Sequence, residues 1–332
     1  MLPRNTGCST RLDAAIAHFV AHQRAFGRGY WHEEYVLRAL GRFVARKGAD
    51  DLSASLFDQW SKDQRQLSPT TLYGRQLLVR KLCLFRRRCD SQCFVPDQAC
   101  FARRRPHAAP VIVTPVQILT VLSAAGRLQS SWRSPLRAAM MRVAVVLLYT
   151  AGLRRGELLR LQLGDVDAGN GVLRIRESKF HRSRWVPLSE DARRELRAYL
   201  RKRLRKPYDQ RSTAPLLFNG NRAYGHKGWH AFCGGGLSQA LRSLFDQANV
   251  RDTQGRRPRV HDLRHSFAVE SLTRWYRQGG DVQTYLPKLA LYMGHVSIVS
   301  TAYYLHFIPE VAALASERFG RRFSYLIDPG AP

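Results

Sequence analysis

Acidic residues are scarce in this chain: 25 Asp and Glu stand against 54 Lys and Arg among 332 residues, a formal net charge of +29. Such an imbalance concentrates polyanions at the surface and makes their binding salt dependent. It favours nucleic acid as partner, although an anionic membrane surface or plain colloidal charge gives the same sum. A long uncharged apolar run is also lacking. The nearest, AAMMRVAVVLLYTAGL from Ala138, contains Arg142 and falls short of the roughly 20 residues a bilayer crossing needs, so it reads as a buried core helix. The opening MLPRNTGCSTRLD has neither an apolar h-region nor a cleavage pattern, which makes secretion unexpected and a cytoplasmic, nucleoid-associated location the expectation. The six cysteines include no Cys-x-x-Cys pair and no second pair to complete a four-ligand set. Cys89, Cys93 and Cys100 are the one trio worth a metal check, and reduced thiols are the ordinary reading. Walker and dinucleotide fingerprints, internal repeats and a carboxylate cluster for two-metal nuclease chemistry are all missing, so neither cofactor nor metal is expected.

What is present, 45% hydrophobic and 24% charged residues, is the composition of a globular protein long enough for two domains. The first ninety residues read as short amphipathic helices. RLDAAIAHFVAHQR puts Leu12, Ile16, Phe19 and Val20 on one side, and EYVLRALGRFVARKG repeats the period before stopping at Gly48. SLFDQW and, after Pro69, TTLYGRQLLVRKLCLFRRR supply two more, enough for a small bundle. The pattern then dissolves into a stretch with prolines at 96, 106 and 110 and the run Arg103, Arg104, Arg105, which reads as a basic linker. That linker serves either a clamp that closes around a duplex or an ordinary solvated hinge. The boundaries expected are a helical DNA-binding domain over 8–90, a linker over 91–112 and a larger domain over 113–332.

The larger domain opens at Thr114, a helix cap followed by Pro115. After the apolar helix, LRRGELLRLQLGDVD reads as another helix. Val172 to Arg176 and Arg184 to Leu188 read as two strands joined by a polar turn, with Pro187 placing the second at an edge. Ser189 caps the helix beyond. APLLFNGNRAYGHKGWHAFCGGG reads as irregular and glycine rich; helices follow from Leu237 to Asn249 and in HDLRHSFAVESLTRWYRQ, DVQTYLPKLALYMG, SIVSTAYYLHF and EVAALASERFG. The fold class expected is mainly α with a small β-sheet.

Single signals for chemistry are weak. His261 and Arg264 share a helix face, Arg154 and Glu157 make an ordinary intrahelical ion pair, and Lys179 fits a solvated hairpin. In order along the chain, however, AGLRRGELLRL, SKFHRSRWVPL, VHDLRH and MGHVSIVSTAYYLH resemble the four boxes of the tyrosine recombinase family, also called the phage integrase family. The resemblance spans about 114 to 320 and implies a catalytic set of Arg154, Lys179, His261, Arg264, His295 and Tyr304, the last standing nine residues after His295. It implies a helical core-binding domain joined to a mixed α/β catalytic domain, gripping opposite sides of double-stranded DNA as a C-shaped clamp. It also implies a homo-oligomer, tetrameric at synapsis, with a sister recombinase or directionality factor as possible company and no membrane. Departures are Ala151 for the common threonine, Met293 for the common leucine, and Phe180-His181 for the usual glycine-containing turn.

The chemistry of these groups is coherent in itself. Attack on a phosphodiester builds charge on nonbridging oxygens, which two guanidinium forks, Arg154 and Arg264, are suited to hold. A tyrosine, with an ordinary pKa of about 10, needs a proton acceptor or a strong positive field. His261 could accept that proton or bind a phosphate oxygen, Lys179 is the preferred general acid for the 5′ oxygen, and His295 supports phosphate and nucleophile. A 3′-phosphotyrosyl ester conserves bond energy for rejoining. The expected activity is site-specific cutting and rejoining of DNA, serving a mobile element. The alternatives are DNA relaxation of the type IB topoisomerase kind and a DNA-binding regulator that never cuts. Beyond the tyrosine, the terminal helix either packs on its own domain or exchanges with a neighbour. Of the adjacent tyrosines, spacing selects Tyr304 and leaves Tyr303 to packing.

Overall fold

Four amphipathic helices form where the apolar period is clearest: α1 (Arg11–Ala25), α2 (Trp31–Arg46), α3 (Ala54–Asp63) and α4 (Pro69–Arg86). Hydroxyl caps start three of them, with Thr10, Ser53 and Ser68 accepting from the backbone N–H three residues on. α2 ends just before Gly48, whose φ of +70° a side chain would strain. Their inward faces, including Leu12, Leu37, Leu40, Val79 and Leu82, make one core. In the computed structural model the residues described are 10–103, 108–176, 183–220, 228–295, 297–307 and 317, and the chain divides into two compact units, Met1–Ala108 and Ala109–Pro332.

The stretch expected as a linker over 91–112 departs from that expectation in its first part. Cys93 and Phe101 are buried in the first unit's core, and Phe94 and Val95 pack against it. Polar contacts hold the same stretch: Gln98 Nε2 donates to Tyr73 Oη at 2.7 Å, and the Ala102 N–H donates to Gln76 Oε1 at 2.9 Å. Prolines and arginines mask a segment whose few apolar side chains find a core.

The second unit is built on α6 (Arg137–Thr150), part of the apolar run already singled out, whose Met140, Met141 and Val143 to Leu148 are buried where it packs on α5 (Pro115–Gly126), α8 (Glu190–Arg203) and α10 (Val260–Arg277). Thr114 and Gln117 form a capping box at the start of α5. The helix expected over LRRGELLRLQLGDVD is shorter: α7 covers Arg155–Arg160. Leu161 then turns extended, because it and Leu163 exchange backbone hydrogen bonds with Leu216 and Ala214 at 2.8 and 2.9 Å. A three-stranded antiparallel sheet follows in the order β1 (Val166–Asp167), β2 (Val172–Ile175), β3 (Arg184–Pro187). Its inward side chains are Leu173, Ile175 and Val186, and Pro187 lies on the edge strand.

The glycine-rich segment expected to be irregular instead contributes a second antiparallel pair, β4 (Phe218–Gly220) with β5 (Trp229–Ala231). Aromatic packing stabilises it: Phe218, Trp229 and Tyr208 meet edge-on or tilted at 5.0–5.1 Å between ring centroids. α9 (Gly234–Gln247) begins three residues earlier than its apolar period suggests. Then come α10, α11 (Val282–Met293), the single turn α12 (Val299–Ala302) and a 3₁₀ turn, Tyr303–Phe307. The architecture is therefore mainly helical with two small sheets. Apart from the helical Glu317, the expected helix EVAALASERFG lies outside the described residues, as does the segment carrying Lys179. No helix among the described residues is long and apolar enough to cross a membrane.

Leu82 is fully buried in the first core. Leu82→Ala is expected to lower stability by about 2–5 kcal/mol through lost transfer energy plus a cavity, checked by chemical denaturation.

Candidate active site

Arg154 is the N-cap of α7, and Glu157 is the third residue of that helix. The Glu157 carboxylate reaches back, Oε2 accepting the Arg154 N–H at 2.9 Å and Oε1 accepting Arg154 Nη1 at 2.7 Å. This end-of-helix loop, with an acid in the first turn, favours both the cap and the helix dipole. Glu157 is only 3% exposed, and it is shared. Arg184, the first residue of β3, donates from Nη1 and Nη2 to Oε1 and Oε2, both at 2.9 Å. Arg264 Nη1 stands 4.0 Å from Oε2. Burial alone would raise the Glu157 carboxyl, but the Arg184 fork and the Arg154 donors outweigh it and hold its pKa at about 2.

Arg264 is 1% exposed, on α10. Its guanidinium donates to two backbone carbonyls, Gly152 O and, at 2.6 Å, Met293 O. Burial first, then repulsion from Arg154, lowers its pKa to about 10, so it stays charged at neutral pH. Arg154 Nη2 donates to Gly294 O at 2.7 Å, and Arg184 Nε donates to Tyr292 O at 2.8 Å. The end of α11 thus supplies acceptors to three arginines. Gly294 sits at φ +67°, and a Cβ there would lie 2.9 Å from Arg184 Nη1, so both backbone and space require glycine.

The start of α10 is fixed by buried Asp262, which accepts the Arg259 N–H at 2.8 Å. Ser266 Oγ donates to Asp262 O and accepts from the Val113 N–H, each at 2.8 Å. His261 and His265 then stand one turn apart, ring centroids 4.6 Å apart and edge-on. Although His261 reaches solvent, desolvation on its protein side and the Arg264 charge lower its pKa, which keeps it neutral and able to accept a proton. His295 Nδ1 pairs with Thr301 Oγ1 at 2.7 Å, and Thr301 is buried. Burial, then the Arg264 and Arg154 charges, lowers His295 to about 4.

Tyr304 is 3% exposed while its neighbour Tyr303 is 40% exposed. The Tyr304 ring packs edge-on to His265 at 5.3 Å and nearly parallel to His295 at 6.1 Å, in a small apolar cluster with Leu272, Leu289 and Met293. Burial raises its phenol pKa, against the opposing charge and hydrogen bond of Arg264. Five of the residues expected at the site, Arg154, His261, Arg264, His295 and Tyr304, therefore come together from four elements. Lys179 lies outside the described residues. Two further residues belong to the cluster and escaped the sequence reading. Arg184 could have been sought in the RWVPL of its box, and His265 in the final histidine of VHDLRH. Burial first, then the titration of the adjacent His261 imidazole, lowers the pKa of His265 to about 4, and its buried Nδ1 has no hydrogen-bond partner among the described residues. Beside Arg154 and His261 a cleft lined by Arg155, Arg242, Arg257 and Arg259 extends the positive surface. Among the described residues no three His, Cys, Asp or Glu side chains converge as metal ligands, and Cys89 and Cys100 are exposed whereas Cys93 is buried.

Glu157→Gln removes the one anion among three guanidinium groups, and stability is expected to fall by about 3–5 kcal/mol in chemical denaturation. Acid acts in the same direction. His265 and His295 have folded-state pKa values near 4 against 6.5 for the free group, so as pH falls through that window the unfolded chain binds protons that the folded one refuses. Stability is expected to decline from about 6.5 to about 4. Thermal melting should show a shallower decline in a His265→Gln, His295→Gln double variant.

Comparison with known proteins shows the family. Residues 115–310 match the family model described as the phage integrase family. A Sinorhizobium fredii protein named "Putative integrase/recombinase y4rB" is 30% identical over 93% of this chain and 97% of its own length. "Tyrosine recombinase XerC" of Pelotomaculum thermopropionicum is 31% identical over 48% of this chain and 47% of its own. In fold the chain is similar to the Tn1549 transposon integrase solved with transposon right end DNA, at 17% identity and a TM-score of 0.61 over 88% of this chain and 93% of that one. It is also similar to a lambda integrase dimer bound to a core site, at 14% identity and a TM-score of 0.56 over 88% and 94%. With the family model covering more than half its length and a relative matched nearly end to end, the chain belongs to the phage integrase family and is a site-specific tyrosine recombinase.

Proposed function

We propose that the protein cuts and rejoins double-stranded DNA through a 3′-phosphotyrosyl intermediate on Tyr304. The observation that carries this reading is the seating of the Tyr304 phenol beside Arg264, His265 and His295 while Tyr303 faces outward. Arg154 and Arg264, charged and held by backbone carbonyls, are suited to bind the nonbridging oxygens and stabilise the phosphorane. A buried phenol with a raised pKa needs its proton removed as it attacks phosphorus, and neutral His261 is the acceptor. The bond to the 5′ oxygen breaks as the phosphotyrosyl bond forms, and Lys179 protonates the leaving oxygen. His295, steadied by Thr301, supports the phosphate. Attack by a 5′-hydroxyl from another strand reverses these steps and joins new partners without an external energy source.

The partner is DNA, supported by the charge of +29 and the arginine-lined cleft beside the site, and by the DNA-bound state of the structures similar in fold. Phosphate contacts of this kind position a duplex without reading its sequence. The first unit, four helices and a basic surface, acts as the core-binding domain, and the second as the catalytic domain. The working form is a homotetramer at synapsis, serving a mobile element in the cytoplasm, where a sister recombinase or directionality factor could join it. The integrase names of the relatives support that service.

A nicked suicide duplex built from the ends of the source element tests the reading. The protein should form a protease-sensitive covalent adduct. Tyr304→Phe is expected to abolish it and Tyr303→Phe to leave it; the reverse pattern would sink the assignment. Strand exchange between two such sites separates recombination from relaxation.

A further inference from the structure

Arg184 opens β3 and points into the unit, its side chain 12% exposed. All three of its nitrogens donate: the two terminal ones in parallel to the Glu157 carboxylate, and Nε to Tyr292 O. A fork matched to both carboxylate oxygens is the strongest geometry an ion pair offers, and a lysine cannot reproduce it. The Gly294 position, one residue before His295, lies against both this guanidinium and that of Arg154. Arg184 therefore ties together β3, the start of α7 and the end of α11.

The charge count shows what this does. Arg154 donates to Glu157, and Arg264 stands 4.0 Å from it. Were Glu157 shared between those two arginines alone, it would cancel half of the charge they present to a phosphate. The Arg184 fork supplies a third positive charge and occupies both oxygens, so the carboxylate orients Arg154 without neutralising the pair. We infer that Arg184 is a positioning residue of the phosphate pocket: by occupying Glu157 it keeps Arg154 oriented and leaves the charge of Arg154 and Arg264 for the scissile phosphate, which it does not itself touch. The inference rests on the reading that those two arginines bind that phosphate.

A substrate pair separates this role from plain stapling of the fold. One nicked duplex carries the ordinary scissile phosphate; the other carries a methylphosphonate there, with no negative charge for the arginines to meet. Single-turnover adduct formation is measured at saturating protein. Arg184→Met is expected to slow cleavage of the phosphodiester roughly 100-fold, the cost of displacing a group that must be aligned. On the methylphosphonate its rate should stay within roughly 10-fold of the parent's, because the missing charge stabilisation is no longer needed. Equal losses on the two substrates, or no loss on either, would overturn the inference. Arg154→Ala is run beside it. If that variant also loses equally on both substrates, the phosphate reading of Arg154 fails and the inference falls with it; if it is selective and Arg184→Met is not, the inference alone fails. Should the methionine variant not fold, Arg184→Lys, which keeps charge without the fork, is expected to show the same selectivity in smaller degree, and equal loss or none overturns the inference there too.

Discussion

One buried carboxylate governs the arrangement of this site. Glu157 sits among Arg154, Arg184 and Arg264, in a chain with twice as many cationic as acidic side chains. Guanidinium groups gathered this closely repel one another, and burial removes the water that would screen them. An anion in their midst makes the cluster tolerable, and the low pKa of about 2 means that it stays an anion at neutral pH. The position of that anion follows from a local feature, an acid in the first turn of a six-residue helix whose N-cap is Arg154.

The remaining constraints follow outward from it. The arginines have donors to spare beyond one carboxylate, and backbone carbonyls of residues 152 and 292–294 accept them. Carbonyls can point inward there because Gly152 and Gly294 adopt positive φ, and a Cβ at Gly152 would collide with Phe267. The same end of α11 then leads into His295, and the short turn after it delivers Tyr304 onto His265 and His295. Electrostatics and packing thus meet at one strand of chain, residues 293–304, which carries a carbonyl rim, a histidine and a tyrosine. Burial, and after it the cationic surroundings, lowers the pKa of both histidines, and neutral imidazole is the form that can take a proton.

Much of the fold was legible where periodicity is local. Leu12, Ile16, Phe19 and Val20 mark α1 unaided, and the strands flanking the Lys179 segment follow from alternation, with Pro187 at the edge. Three features were not legible, each for a long-range reason. The run after Arg154 reads as one helix until Leu161 finds extended partners more than fifty residues away. β4 and β5 hide in a glycine-rich stretch because what stabilises them is aromatic contact with Tyr208, outside the stretch. In the apparent linker, Cys93 and Phe101 are too sparse to show a period, yet both reach the first core. At the site, ordered boxes and not spacing alone brought out Arg154, His261, Arg264, His295 and Tyr304. Glu157 was readable as the local partner of Arg154, but its pairing with Arg184 crosses 27 residues. In so arginine-rich a chain only its place in the RWVPL of its box marks Arg184 before the fold does.

Mapping the protein–DNA bond itself tests the account most directly. Protein trapped on a nicked suicide duplex is digested, and the peptide that retains nucleotide is sequenced by mass spectrometry. The account predicts nucleotide on Tyr304, the phenol seated among Arg264, His265 and His295. Nucleotide on Tyr303 or on any other residue, or a cleaved strand with no covalent peptide, would contradict it.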